Sequence, residues 1–262
     1  MNQPKLINKN IIISAAADGI GWCIAEFCLN EGANVYISDV DDKKIAIRKQ
    51  HDKYNKNLFV SKVDASDSKR VQNYFFELKK KISSIDALIN NVGISGPTGK
   101  LEDLEVEEWK KTLEVNINSH FYFIKYSIPL LKKIQGSSII NLSSTAGIHG
   151  FALRTPYAAS KWAIIGLTKS LAIELGQFNI RVNSIAPGSV KGERMDRVIN
   201  AKSQSLGMSK EKLKEDFESM VSLKTFVYKE DIAKMAVFLI SDEAKRISGQ
   251  VMIIDGNTER IN

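Results

Sequence analysis

The sequence predicts an α/β protein, a doubly wound parallel sheet of seven strands with helices on both faces. Three observations carry that expectation. Short β-branched runs alternate with amphipathic stretches from end to end, the runs are near-continuously apolar, and the segments between them are long enough to hold a helix. Strands joined by such crossovers lie parallel. A strand covered on both faces has no reason to alternate polar and apolar residues.

Taken in order, the expected strands are 11–14, 34–38, 57–62, 87–90, 138–142, 181–186 and 251–254. Between them, residues 20–31, 41–54, 67–82, 106–133, 157–177 and 229–240 carry apolar positions at helical spacing. Segment 192–225 stands outside the alternation. It is charged and helical in character, and a long excursion from a compact α/β core reads as a lid over a binding site. With no repeat and no low-complexity linker, residues 1–262 are expected to form a single domain.

Composition removes several function classes. The formal charge is +7, yet the basic residues form only short clusters, Lys79 to Lys81 and Lys132 with Lys133, which suit solvated helix surface and helix C-termini. Nucleic acid is therefore not expected as a partner. Cys23 and Cys28 lie five apart on one expected helix, the wrong spacing for a metal knuckle or a redox pair, so buried reduced thiols and no metal site are expected. Residues 1–9 lack a leader-like apolar stretch and no later run could span a bilayer, which predicts a cytoplasmic protein without a membrane partner.

The carboxyl ends of the strands gather the polar residues, and open α/β sheets bind ligands along that edge. Ser14, Ala15, Ala17, Asp18, Gly19 and Ile20 lie where the first strand turns into the first helix, the place where a pyrophosphate meets free backbone N–H groups. Asp39 ends the second strand. Its carboxylate can accept from adenosine ribose hydroxyls and would repel a 2′-phosphate, so the dinucleotide implied is NAD rather than NADP. Asp64 and Ala65 follow the third strand, and Asn91, Val92 and Gly93 follow the fourth.

Tyr157 and Lys161 are i and i+4 on one helix, which puts phenol and ammonium on the same face. A phenol with a pKa of about 10 is a poor base at neutral pH, and a neighbouring cation stabilises its phenolate. Ser144 follows the fifth strand and so ends at the same edge, where a hydroxyl can polarise a substrate oxygen.

With these residues in this order, the chain resembles the short-chain dehydrogenase/reductase family over nearly its whole length. The glycine-rich turn falls on Ser14 to Gly21, the strand end on Asn90 to Gly93, the serine on Ser144, the Tyr-x-x-x-Lys pair on Tyr157 and Lys161, and the Pro-Gly turn on Pro187 and Gly188, with Val190 beyond it at the cofactor. The resemblance implies a Rossmann-like fold and the interconversion of a secondary alcohol and a ketone by hydride transfer with NAD. It also implies Tyr157 as general acid/base, Ser144 positioning the substrate oxygen, Lys161 bridging to the nicotinamide ribose, and Asn116 holding a relay water. A homotetramer is implied as well, assembled through segments 106–133, 157–177 and 247–262. Two positions depart from the pattern: Ala15 where glycine is usual, and Gly192 where a threonine usually holds the nicotinamide end, a task left to Ser189 or a backbone group.

Arg154, three residues before Tyr157, and Arg194, in the lid segment, can approach the pocket from opposite sides and suit a small anionic substrate. Surface pairing with Glu193 or Asp196 is the plainer alternative for both. For the protein as a whole, the alternatives are an NADP-dependent 3-oxoacyl-carrier-protein-type reductase, against which Asp39 counts, and a catalytically idle NAD-binding scaffold.

Overall fold

A computed structural model describes residues 4–259. Seven strands form one wholly parallel sheet: β1 (Asn10–Ser14), β2 (Asn34–Asp39), β3 (Leu58–Lys62), β4 (Ala87–Asn90), β5 (Ser138–Leu142), β6 (Arg181–Pro187) and β7 (Val251–Ile254), in the order β3-β2-β1-β4-β5-β6-β7. The chain runs outward from β1 to β3 and then returns to place β4 on the other side of β1. That reversal opens a crevice beyond Ser14 and Asn90, at the point where doubly wound sheets bind ligands.

Period-two geometry sorts the strand side chains into two cores. Ile11 and Ile13 of β1 join a cluster with Trp22, Cys23 and Cys28 of α1 (Gly19–Asn30) and with Ile232, Ala236 and Leu239 of the last helix. Ile12 between them faces the other way. It packs with Phe75 of α3 (Ser68–Leu78), which follows α2 (Asp42–Lys49), and with helices from the middle of the chain. Those helices are α4 (Val106–Leu113), α5 (Ser119–Leu131) and α6 (Thr155–Gly176), and Phe123 of α5 and Leu171 of α6 complete this second cluster. Beyond β6 come α7 (Glu193–Leu206), α8 (Lys210–Ser219) and α9 (Lys229–Ile240), the last resting against α1.

The central strands are covered on both faces as expected, but the sheet edges are not. Phe59 of β3 is 41% exposed and Ile253 of β7 is 51% exposed, because a terminal strand has fewer helices over it. Helix 41–54 is shorter than its periodicity suggests. After Lys49 the chain leaves α2, and His51 stacks on Tyr54 and packs at a tilt against Trp22. Helix α6 begins earlier than expected, at Thr155, with Pro156 in its first turn, where the missing N–H costs nothing. Segment 106–133 is helical as far as Leu131 but widens into a π-helical turn at Glu114–Asn118, between α4 and α5. Cys23 and Cys28 are free, buried thiols, and burial pushes Cys23 up to about 11. Among the described residues no helix is long and apolar enough to cross a membrane, and no group of His, Cys, Asp and Glu has the arrangement of a metal site.

One polar thread crosses the interior. Asn90 Nδ2 of β4 donates to Asn141 Oδ1 of β5 at 2.9 Å, Asn141 Nδ2 donates to Thr168 Oγ1 of α6 at 3.0 Å, and Thr168 donates in turn to the Ile164 carbonyl at 2.8 Å. All three side chains are fully buried. Polar groups so placed need partners; each here donates to the next, and Asn90 Oδ1 at the start of the thread is the one acceptor of the three left without a partner.

Candidate active site

A cavity of about 710 Å³ follows the carboxyl edge, from Asp39 and Lys44 at one end to Phe151 and Phe217 at the other. The first end is built from the β1–α1 turn. Ala15 adopts a left-handed conformation, φ 50°, and Gly19 follows at φ 58°. The bend is locked from outside: Asn91 Nδ2 donates to the Ala15 carbonyl at 2.7 Å, and Asn91 N donates to Ser14 Oγ at 3.1 Å. A side chain at Gly21 would meet Asn91 Nδ2 at 2.5 Å and the Ala15 carbonyl at 2.7 Å, so this position tolerates only hydrogen. No side chain caps the start of α1, and the space beside Gly19 is open. A helix N-terminus with uncapped N–H groups facing an open crevice fits a pyrophosphate.

Asp39 is tied into the same turn, accepting from Ala17 N at 3.0 Å and from Val40 N at 2.7 Å. Lys44 also lines this end, but its ammonium is engaged by Asp18 at 2.7 Å, and that hydrogen bond holds the Asp18 carboxyl below its usual value. Gly188, of the Pro187-Gly188 turn, sits against Asp255, where a Cβ would come within 2.7 Å of the Asp255 side chain. Pro187, Gly188, Ser189 and Val190 line the cavity above the sheet.

The middle of the cavity holds Ser144, Tyr157 and Lys161. Ser144 lies two residues beyond β5, where its hydroxyl accepts from Ala146 N at 3.2 Å and lowers the Tyr157 phenol pKa. Lys161 is buried, and its ammonium donates to the Leu142 carbonyl at 2.8 Å and lies 5.8 Å from the Tyr157 ring centre. Burial drives its pKa down to about 8; the Tyr157 charge opposes this and Arg194 adds to it. For Tyr157, burial works to raise the phenol pKa. It is outweighed by Arg194, then Lys161, the Ser144 hydrogen bond and Arg154, so the phenol is held below its ordinary value. Sequence reasoning gave that work to Lys161; the contribution of Arg194 exceeds it.

Several expected residues stand behind the wall rather than on it. Ser14 and Ala17 serve the turn's own hydrogen bonds, and Val92 is buried with its carbonyl 3.2 Å from His120 Nε2. Asp64 is turned into its own loop, accepting from Ser66 N and Ser66 Oγ, and Ala65 packs on the α3 side of the core. Asn116, on the π-helical turn, binds both Ile94 N (2.7 Å) and the Ile94 carbonyl (3.0 Å) and donates its other hydrogen to Ser160 at 3.0 Å. Its amide braces the loop after β4 against α6.

The far end is cationic with apolar walls. Arg154 is buried, donates to the Ser95 carbonyl at 2.6 Å, and has its guanidinium 5.1 Å from the Tyr157 ring centre; that of Arg194 lies 5.8 Å away. The alternative pairing fails for both. Glu193 lies 3.7 Å from Arg197, and among the described residues no carboxylate forms an ion pair with Arg154 or Arg194. Sequence reasoning missed Lys202, buried on α7 with its ammonium 5.2 Å from the ring centres of Phe151 and Phe217. Its helical register, one turn beyond Val198 and Ile199, was the available signal.

Comparison with known proteins agrees with this geometry. The family model described as enoyl-(acyl carrier protein) reductase matches residues 15–257. The trans-4-hydroxycyclohexanecarboxylate dehydrogenase of Sinomonas cyclohexanicum is 34% identical over 260 residues, covering 96% of this chain and 93% of that protein. A 3-oxoacyl-[acyl-carrier-protein] reductase of Chlamydia trachomatis is 34% identical over 257 residues, with 96% and 97% covered. Among solved structures, levodione reductase superposes with a TM-score of 0.89 at 26% identity, covering 96% of this chain and 97% of that one. ElxO with NADP bound gives 0.85 at 29% identity, covering 95% and 98%. From the parallel seven-stranded sheet, the glycine turn at its switch point and this match along almost the entire sequence, the chain belongs to the short-chain dehydrogenase/reductase family of oxidoreductases.

Proposed function

We propose that this protein is an NAD-dependent dehydrogenase of secondary alcohols, or reductase of the corresponding ketones, with Tyr157 as its general acid/base. The observation that carries the reading is the Tyr157 phenol, which shares one cavity with Ser144 and the glycine turn, has Arg154, Lys161 and Arg194 within 5.1–5.8 Å of its ring centre, and is held below its ordinary pKa by them. A phenol tuned by several cations inside a cleft is the mark of a catalytic acid/base rather than of an idle scaffold.

When bound, the nicotinamide cofactor supplies the hydride chemistry. The N–H groups at the start of α1 would hold its pyrophosphate, and Asp39 its adenosine ribose. Asp39 supports NAD over NADP because a second anion beside its carboxylate is repelled, and the Lys44 ammonium that could offset this is already engaged by Asp18. Ser144 orients the substrate oxygen. Tyr157 takes the hydroxyl proton during oxidation and returns it during reduction, and Lys161 keeps the resulting phenolate near a positive charge. Helices α7 and α8, with their own small core of Ile199, Leu213 and Phe217, form the lid over the substrate end.

We infer a homotetramer. Trp162 and Ile173 on α6 are 51% and 83% exposed and Phe121 on α5 is exposed too, an apolar surface that a second copy would cover. Of the C-terminal segment assigned to a further interface, 260–262 lie outside the described residues.

The test is Tyr157→Phe. Hydride transfer should slow by several orders of magnitude while NADH binding, followed by nicotinamide fluorescence, is nearly unchanged. A variant that keeps more than about a tenth of wild-type turnover has its acid/base elsewhere.

A further inference from the structure

We propose that the far end of the cavity binds the carboxylate of a hydroxy- or keto-acid substrate, with Arg154 and Arg194 as its ligands. The proposal deepens the reading of Tyr157 as acid/base by naming the substrate class that reaches it.

Arg154 is 2% exposed, and one Nη donates to the Ser95 carbonyl, which fixes the plane of the guanidinium. Its Nε is buried with no hydrogen-bond partner. A guanidinium removed from water is costly unless an anion meets it, and leaving one of its donors unsatisfied adds to that cost. Among the described residues no carboxylate meets this need. Arg194 approaches the same phenol from α7, likewise without an acidic partner among the described residues, and Glu193 beside it is turned to Arg197. Lys202 adds a third positive charge behind Phe151 and Phe217.

The two guanidinium groups repel each other: burial lowers the pKa of Arg154 first, and Arg194 adds to the effect. A protein gathers such charges at one point when a ligand of opposite sign completes the set. Arg favours a planar bidentate acceptor, which is the geometry of a carboxylate. Phe151, Met195, Val198 and Phe217 give this end apolar walls, so the body of the substrate is hydrocarbon. With both guanidinium groups within 5.1–5.8 Å of the Tyr157 ring centre, the carboxylate lies only a few bonds from the reacting carbon. The named activity of the relative from Sinomonas cyclohexanicum, on a hydroxycyclohexanecarboxylate, is of this class.

The experiment uses probes that cannot react, so its outcome does not depend on Tyr157. The NADH complex is titrated calorimetrically with cyclohexanecarboxylate and with cyclohexanecarboxamide, for wild type, Arg154→Met, Arg194→Met and Tyr157→Phe. Wild type and the Tyr157 variant should favour the carboxylate by about tenfold or more, and each arginine variant should lose most of that preference with NADH affinity unchanged. Arg194 is exposed on α7, so its variant remains informative even if the buried Arg154→Met protein fails to fold. The proposal falls if wild type binds the two probes equally or binds neither. It falls also if the preference survives Arg194→Met, or if that change weakens NADH as much as the carboxylate, which would assign the arginine to the dinucleotide. A Tyr157→Phe enzyme that stays active while the carboxylate preference holds would overturn the acid/base assignment alone.

Discussion

Replacing Ala15 by glycine should stabilise this protein, against the usual direction of such a change. Ala15 has φ 50°, a region where an L-residue carries about 1–2 kcal/mol of steric cost that glycine does not. The substitution also frees the unfolded chain, which takes back about 0.4–1 kcal/mol. The native conformation itself is held from outside, by Asn91 Nδ2 on the Ala15 carbonyl and by Ala16 N on the Ser38 carbonyl at 3.0 Å, so glycine has little freedom to abandon it. The net gain is about 0.5–1 kcal/mol, which for a chain of this size raises Tm by about 1–4 °C. Ala16 next door is the internal control. It is fully buried, it does not have positive φ, and its conversion to glycine should cost about 1–2 kcal/mol through the lost methyl and the looser unfolded chain. Urea unfolding of the three proteins without cofactor, with NADH titration alongside, measures both effects. Should Ala15→Gly prove as destabilising as Ala16→Gly, or should it weaken NADH binding, the left-handed alanine is not a source of strain at the turn.

Asp39→Ala should narrow the preference for NAD over NADP by removing both a ribose acceptor and a negative charge; comparing kcat/KM for the two cofactors in wild type and variant checks this, and a wild type that favours NADP refutes it. Arg194→Met should move the acid limb of kcat/KM for oxidation of a neutral alcohol to higher pH. The cation favours the phenolate of Tyr157, so its loss raises the phenol pKa and the base forms only in more alkaline solution; a limb that stays put or moves to lower pH contradicts the electrostatics. Multi-angle light scattering should give a tetramer at micromolar concentration, and a monomer would leave the apolar faces of α5 and α6 without their explanation.

Much of this was legible in the sequence because it follows from local chemistry. The parallel sheet follows from uninterrupted apolar runs such as Ile11 to Ile13 separated by long crossovers, and the carboxyl edge then collects Asp39, Asn91, Ser144 and Pro187 without further assumption. What escaped depends on distances across the fold. The spacing of Tyr157 and Lys161 is visible on one helix, whereas the larger influence of Arg194 comes from an element that returns to the site only in three dimensions. Lys202 reads as one more surface lysine on a charged helix until α7 is packed against Phe151 and Phe217. Asn116 sits on an interruption of the helical repeat, and period counting registers the helix without the wider turn that aims its amide at Ile94. Glycine turns show the same division: Gly21 is explained by contacts with Asn91 that no local pattern reveals.

The buried thread from Asn90 through Asn141 to Thr168 makes neighbours of two parts of the site, beside the brace that Asn116 supplies between the loop after β4 and α6. Asn90 immediately precedes Asn91, which secures the glycine turn, and Thr168 lies on the helix that carries Tyr157 and Lys161. Each link donates onward, so the thread has a direction, and no member can be exchanged for an apolar residue of similar shape without stranding a donor or an acceptor on the next. Divergence at these three positions is therefore constrained to be concerted. A descendant of this chain that loses the threonine hydroxyl must also change the middle asparagine, and then the first, or else accept a helix whose depth against the sheet, and with it the distance from phenol to cofactor, is no longer set.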